Sequence, residues 1–206
     1  VWLKNLIVGF LLITVAGCVP PQSADEDPAV IDSAIPDTSP EEEPESTITW
    51  TDCGGNLGDH GCDFTFEDQN GDEWSLYDHH GTVMVLDFSA MWCHYCRVAA
   101  DEVQAVQDLY GDQDFLWVTI LVDNNVGDPP TADEIDDWVS TYGITSAPVL
   151  AGNRTSGLID ITAEDGYPIS SWPTFVIVDR DLIIQYGLHG WSEVLIMTQL
   201  ENILAE

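Results

Sequence analysis

Two thiols spaced for disulfide exchange stand in the stretch Trp92-Cys93-His94-Tyr95-Cys96-Arg97, just after the apolar run Val83-Met84-Val85-Leu86. Where a buried strand gives way to a helix, this spacing puts both sulfurs within one helical turn. The unpaired N–H groups and partial positive charge of a helix N-terminus favour thiolate over thiol there. Cys93 is therefore the expected nucleophile, attacking a substrate disulfide to form a mixed disulfide. Cys96, one turn further in and shielded, is expected to resolve that intermediate by attacking Cys93.

The elements that must position this pair are legible as alternating patterns. Residues 83–88 form an apolar run bounded by Gly81 and the cysteine motif, as expected of a strand buried on both faces. Ala99, Val103, Val106 and Tyr110 then recur at helical spacing, and Gly111 closes the segment. A second buried strand is expected at 115–122. Thr131 with Glu134 makes a capping box, and Ile135, Trp138, Val139 and Tyr142 supply the apolar face of a second helix. Strands at 174–178 and 182–186 are turned by Asp179-Arg180-Asp181, and a terminal helix from Ser192 carries Ile196, Leu200 and Ile203 inward. Ahead of all these, Asp63-Phe64-Thr65-Phe66 and Trp74-Ser75-Leu76 flank Asn70-Gly71, the signature of a small hairpin. The alternation implies an α/β domain, a central mixed sheet with helices on both faces and an N-terminal hairpin.

The stretch 86–97, Leu86-Asp87-Phe88-Ser89-Ala90-Met91-Trp92-Cys93-His94-Tyr95-Cys96-Arg97, resembles the active-site strand and turn of the thioredoxin-like family. More narrowly it is similar to the redoxin branch that includes TlpA-like membrane-anchored reductases and the AhpC/TSA relatives. The hairpin and Trp172-Pro173-Thr174-Phe175, which resembles the family's cis-proline segment, extend the likeness from residue 63 to the C-terminus. The resemblance implies that Asp87 is a buried acid moving a proton to or from the resolving thiol, and burial would raise its pKa towards neutrality. It implies that Pro173 faces the cysteines, with Trp92, Trp172 and Thr174 lining the substrate groove. A departure from the family lies between the cysteines, where Gly-Pro or Pro-Pro gives way to His94-Tyr95. A histidine beside Cys93 stabilises its thiolate when protonated and makes the disulfide more oxidising. Arg97 would add a cation nearby. No cofactor beyond the Cys93/Cys96 pair, and no metal, is expected.

The start of the chain leads us to expect this domain outside the cytoplasm, and composition bounds its partners. The chain of 206 residues is 45% apolar, enough for one core, but 37 Asp and Glu face only Lys4, Arg97, Arg154 and Arg180, for a net charge of -33. Such a surface excludes nucleic acid as a partner and favours solubility. Residues 1–17 contain Lys4 and then an apolar stretch at 6–16, too short for the ~20 residues of a spanning helix and suited to a secretory signal. Val15-Ala16-Gly17-Cys18 resembles the lipobox of bacterial lipoproteins, which implies cleavage before Cys18 and a lipid on it. Residues 18–46 read as an acidic, proline-rich tether, since 19–46 hold six prolines, nine acidic residues and no basic one. Residues 47–62 form a loop bracketed by Cys53 and Cys62, for which a structural disulfide is the expected state in an oxidising compartment. A metal site using His60 and a second redox pair are the alternatives there. Residues 63–206 complete the thioredoxin-like domain.

The expected function is extracytoplasmic thiol-disulfide exchange with disulfide- or dithiol-bearing envelope proteins, supported by a membrane thiol donor or acceptor. Reduction of the substrate is the expected direction. Three other readings compete. A peroxidase needs a Pro-x-x-x-Thr-x-x-Cys setting, and the Pro and Thr are absent before Cys93. A copper chaperone would use Cys93, Cys96 and His189, although the copper branch of the superfamily spaces its cysteines by three residues. A non-catalytic binding module would not need both cysteines with Trp92 and the proline segment. His79 and His80 are expected in a solvated turn.

Overall fold

The computed structural model describes residues 48–206 except 156, 157 and 161. The signal segment 1–17, Cys18 and the tether 18–46 therefore lie outside the described residues. Among the described residues no helix is long and apolar enough to cross a membrane.

A two-stranded antiparallel hairpin comes first, β1 (Thr65–Glu67) with β2 (Glu73–Ser75), its turn closed by Asp68, whose carboxylate accepts from the N–H groups of Asn70 and Asp72. Gly71 supplies the positive φ of +80° that this turn requires. The central sheet has five strands: β3 (Val83–Ala90), β4 (Phe115–Asp123), β5 (Val149–Ala151), β6 (Thr174–Val178) and β7 (Ile184–His189), in the order β5-β4-β3-β6-β7. β3, β4 and β5 are parallel, whereas β6 and β7 run antiparallel to their neighbours. Every residue of β3 is buried, as a central strand covered on both faces must be.

Three helices connect and close this sheet: α1 (His94–Tyr110), α2 (Ala132–Tyr142) and α3 (Glu193–Leu204). The Thr131/Glu134 capping box is formed in full at the start of α2, and Gly111 caps α1. All three helices occupy one face of the sheet. Ala99 and Val103 of α1, Ile135 and Trp138 of α2, and Ile196 and Leu200 of α3 share one apolar cluster with Val83 and Val85 of β3. The opposite cluster, built on Met84, Leu86 and Phe88, is covered by the hairpin residues Phe64, Phe66 and Trp74, and by Leu158, Tyr167 and Ile169.

This corrects the expectation of helices on both faces. The crossovers β3-α1-β4 and β4-α2-β5 step the same way across the sheet, and right-handed crossovers that do so put both helices on one side. The second face is closed by irregular chain instead. Part of that chain is the segment bearing Cys53 and Cys62, which are joined by a disulfide. Its Gly58 N–H donates to the Ile184 carbonyl at 2.8 Å and Asp59 accepts from the Ile184 N–H at 2.9 Å, so the loop covers the start of edge strand β7. His79 and His80 also differ from expectation. Each is partly buried at the end of a 3₁₀ turn, His79 stacked on Trp74 at 4.5 Å between ring centroids and His80 packed near Trp50 at 5.7 Å.

Candidate active site

At the carboxyl ends of β3, β4 and β5 the chain gathers its reactive groups, the usual place for a site in an open α/β sheet. Cys93 is the N-cap of α1, and both it and Cys96 are buried free thiols. The Cys96 backbone N–H donates to Cys93 Sγ at 3.3 Å. A helix start thus directs an otherwise unpaired N–H at the first sulfur, which stabilises negative charge there.

Asp87 lies beneath the pair. Strand alternation puts it on the same face as Val83 and Val85, the face that α1 covers. It is 1% exposed; Ser89 Oγ donates to its Oδ1 at 2.6 Å, and its Oδ2 has no hydrogen-bond partner. Burial pushes its pKa up to about 7, opposed by the Ser89 hydroxyl and by the indole of Trp117, which lies outside hydrogen-bonding geometry. The Cys96 thiol is pushed well above its ordinary range, first by burial and then by the charge of Asp87 and its neighbour Cys93. The pair therefore comprises one sulfur at a helix terminus and one that keeps its proton until a base removes it.

The proline segment reaches the same end of the sheet. Thr174 pairs opposite Phe88 in the β3/β6 register, which brings Pro173 and Trp172 to the level of the motif. The Trp172-Pro173 peptide bond is cis, and the Pro173 carbonyl accepts from Gly190 N–H at 2.8 Å. Thr174 Oγ donates to the Ser171 carbonyl at 2.7 Å and lies 2.9 Å from His189 Nδ1. A hydroxyl has one hydrogen, so His189 Nδ1 is the donor in the second bond. His189 is thereby tied to the proline segment at the end of β7. No group of three or more His, Cys, Asp or Glu that could hold a metal ion occurs among the described residues.

The remaining motif residues separate. His94 and Tyr95 are exposed on the first turn of α1, their rings 5.3 Å apart. Arg97 donates from Nη1 to the Met91 carbonyl at 3.0 Å, beside Glu134, Trp138 and Tyr142. Trp92 is 45% exposed, with its indole N–H bonded to Asp123 at 3.1 Å. Asp123 and its partner Arg154 are site residues that sequence patterns did not single out. A lone acid closing a strand and a lone arginine in a loop carry no periodic signal; the scarcity of basic residues was the one available hint.

The profile of the AhpC/TSA family matches residues 57–187. Thioredoxin-like protein YneN of Bacillus subtilis is 26% identical over 139 residues, 68% of this chain and 75% of that protein. Among solved structures, a Chlorobium tepidum protein described as the thiol:disulfide interchange protein DsbE superposes with a TM-score of 0.59 at 21% identity, covering 73% of this chain and 99% of its own. The exposed lipoprotein thioredoxin Etrx1 of Streptococcus pneumoniae superposes with a TM-score of 0.56 at 23% identity, covering 68% and 99%. The fold is thioredoxin-like, a five-stranded mixed sheet with three helices and an N-terminal hairpin.

Proposed function

This chain belongs to the AhpC/TSA family, and on that premise we propose that it is an extracytoplasmic thiol-disulfide oxidoreductase acting on envelope proteins through Cys93 and Cys96. The observation that carries the reading is the pair itself: two free thiols on the first turn of α1, the inner N–H bonded to the outer sulfur, with a buried carboxyl of pKa about 7 below them.

In the proposed cycle the Cys93 thiolate attacks one sulfur of a substrate disulfide. The substrate S–S bond breaks, its leaving sulfur departs as a thiolate that takes a proton, and a mixed disulfide joins Cys93 to the substrate. Asp87, partly ionised near neutral pH, accepts the Cys96 proton. The Cys96 thiolate then attacks Cys93 Sγ, releasing the second substrate sulfur. The substrate gains two electrons and the Cys93–Cys96 disulfide forms. Trp92, His94 and Tyr95 at the helix start, with Trp172 and Pro173 across the groove, hold the incoming polypeptide, while Thr174, buried and bonded to Ser171 and His189, steadies the proline segment, and a membrane thiol donor returns the pair to the dithiol. Arg97, bonded to Met91, supports the turn that presents Cys93.

Residues 1–17 act as a lipoprotein signal peptide, Cys18 carries lipid, and 18–46 tether the domain to a membrane on the periplasmic or exterior side, with 47–62 as a disulfide-closed loop and 63–206 as the catalytic domain. Supporting this are the apolar stretch 6–16, the lipobox-like Val15-Ala16-Gly17-Cys18 and the lipoprotein nature of the pneumococcal relative. Labelling cells with a radioactive fatty acid should mark Cys18; an unlabelled Cys18 overturns the anchor. Cys93→Ser should abolish reduction of insulin disulfides, and unchanged activity overturns the oxidoreductase. Equilibration with a glutathione buffer sets the direction: a potential near about -270 mV supports a reductase, one near about -120 mV an oxidant.

A further inference from the structure

Four side chains tie together the two walls of the candidate groove without involving either sulfur. A register shift after Ser89 sets Asp123, not Val122, opposite Ala90 at the end of the β3/β4 ladder. Such irregularities re-aim a side chain beside an active site. Asp123 is 1% exposed, so its charge needs a partner. It has two. The Trp92 indole N–H donates to Oδ2 at 3.1 Å, and the Arg154 guanidinium grips both oxygens, Nε donating to Oδ1 at 2.7 Å and Nη2 to Oδ2. The same guanidinium lies over the Trp172 ring, its Cζ 5.3 Å from the centroid, within cation–π range. Trp92 precedes Cys93 and Trp172 precedes Pro173. One arginine therefore links the residue before the nucleophile to the residue before the proline.

Arg154 is one of four basic residues in a chain with 37 acidic ones, and the other two within the domain do different work. Arg97 donates to the Met91 carbonyl and Arg180 to the Gln113 carbonyl at 3.5 Å. The planar fork matters at position 154. It binds a carboxylate through two parallel donors while stacking on an indole, a combination lysine cannot reproduce. With about half of its side chain exposed, Arg154 reaches this position from the loop after β5.

We propose that Arg154 is a positioning residue that, through Asp123 and by stacking on Trp172, holds Trp92 and Trp172 as the two indole walls of the groove, and so sets affinity for polypeptide disulfides. The proposal rests on the reading of Cys93 as the exchange nucleophile. It locates the selectivity of that chemistry in the walls and leaves reactivity at sulfur to Cys93, Cys96 and Asp87. A substrate chain must lie along both indoles, whereas a small disulfide needs only the sulfur.

The test compares two substrates, insulin and hydroxyethyl disulfide, in the full domain with dithiothreitol as electron donor. Arg154→Ala should raise KM for insulin about tenfold, the size expected for losing one hydrogen-bonded charged contact of about 1.4 kcal/mol, with kcat little changed. The rate with hydroxyethyl disulfide and the potential of the cysteine pair should stay at wild-type values. Asp123→Asn keeps the shape and an acceptor for Trp92 but loses the ion pair, and should show the same KM effect even if Arg154→Ala melts early. Arg154→Lys should fail to restore KM. Equal losses on both substrates, a fall in kcat alone, an unchanged KM for insulin or full rescue by lysine would each overturn the proposal. A wild-type domain inactive on both substrates would instead overturn the exchange reading on which it stands.

Discussion

Replacing Asp87 with Asn removes one proton-binding site from the core and keeps its shape. In the folded domain the Asp87 carboxyl is 1% exposed and its pKa is raised from 3.8 to about 7, burial being the largest cause. Between those two values the folded chain holds a proton that the unfolded chain has lost. The sign follows: stability is fully present below the unfolded value and falls as pH rises through the folded one, by about 1.4 kcal/mol per pH unit. From pH 5 to pH 8 the wild type should lose about 2.5 kcal/mol through this one group. An amide has no charge to desolvate, so the variant should not. Urea unfolding of both proteins at pH 5, 6, 7 and 8, in one redox state, reads the difference directly. The advantage of Asp87→Asn should grow by about 2.5 kcal/mol across that range and level off above pH 8. A difference independent of pH would refute the reasoning, because it would mean that Asp87 titrates alike in both states. The same variant should slow release of the mixed disulfide at pH 7, since the Cys96 thiol is held protonated by burial and loses its acceptor.

Other positions give sharper local tests. The double variant Cys53→Ser/Cys62→Ser should lower stability by up to about 3 kcal/mol, the chain-entropy value for so short a loop, while leaving insulin reduction intact; a melting curve and the turnover assay check both halves, and lost turnover in a folded protein would make this disulfide a redox partner. Gly55→Ala should destabilise by about 1–3 kcal/mol in urea titration, because its Cβ would stand 2.4 Å from the Gly166 carbonyl oxygen and 2.6 Å from Pro168. Replacing His94-Tyr95 with Gly-Pro should make the pair more reducing against glutathione, since it removes the imidazole next to Cys93 in sequence; a more oxidising pair would contradict that role.

Legibility in the sequence followed the range of the interactions. Local signals read well: the apolar run of β3, the Thr131/Glu134 box, Gly111 at the end of α1 and the Asn70-Gly71 turn each depend on residues a few positions apart. Strand β5, only Val149–Ala151, escaped because three residues carry no periodicity and its place is set by pairing with β4. Single-face helix packing escaped because handedness and strand order, not amphipathicity, decide which side a helix takes. At the site, the cysteines could be placed from the strand-to-helix boundary, and Asp87 and Pro173 through a family likeness. Asp123 and Arg154 could not, because their partners, 31 residues apart in each case, meet only through the sheet.

In the proposed exchange Cys93 attacks and Cys96 resolves. Its most direct test is mass spectrometry of the Cys96→Ser domain after reaction with a disulfide-bonded peptide. A stable mixed disulfide between the peptide and Cys93 is expected. Absence of any adduct, or an adduct on Cys53 or Cys62 with Cys93 unmodified, would contradict it.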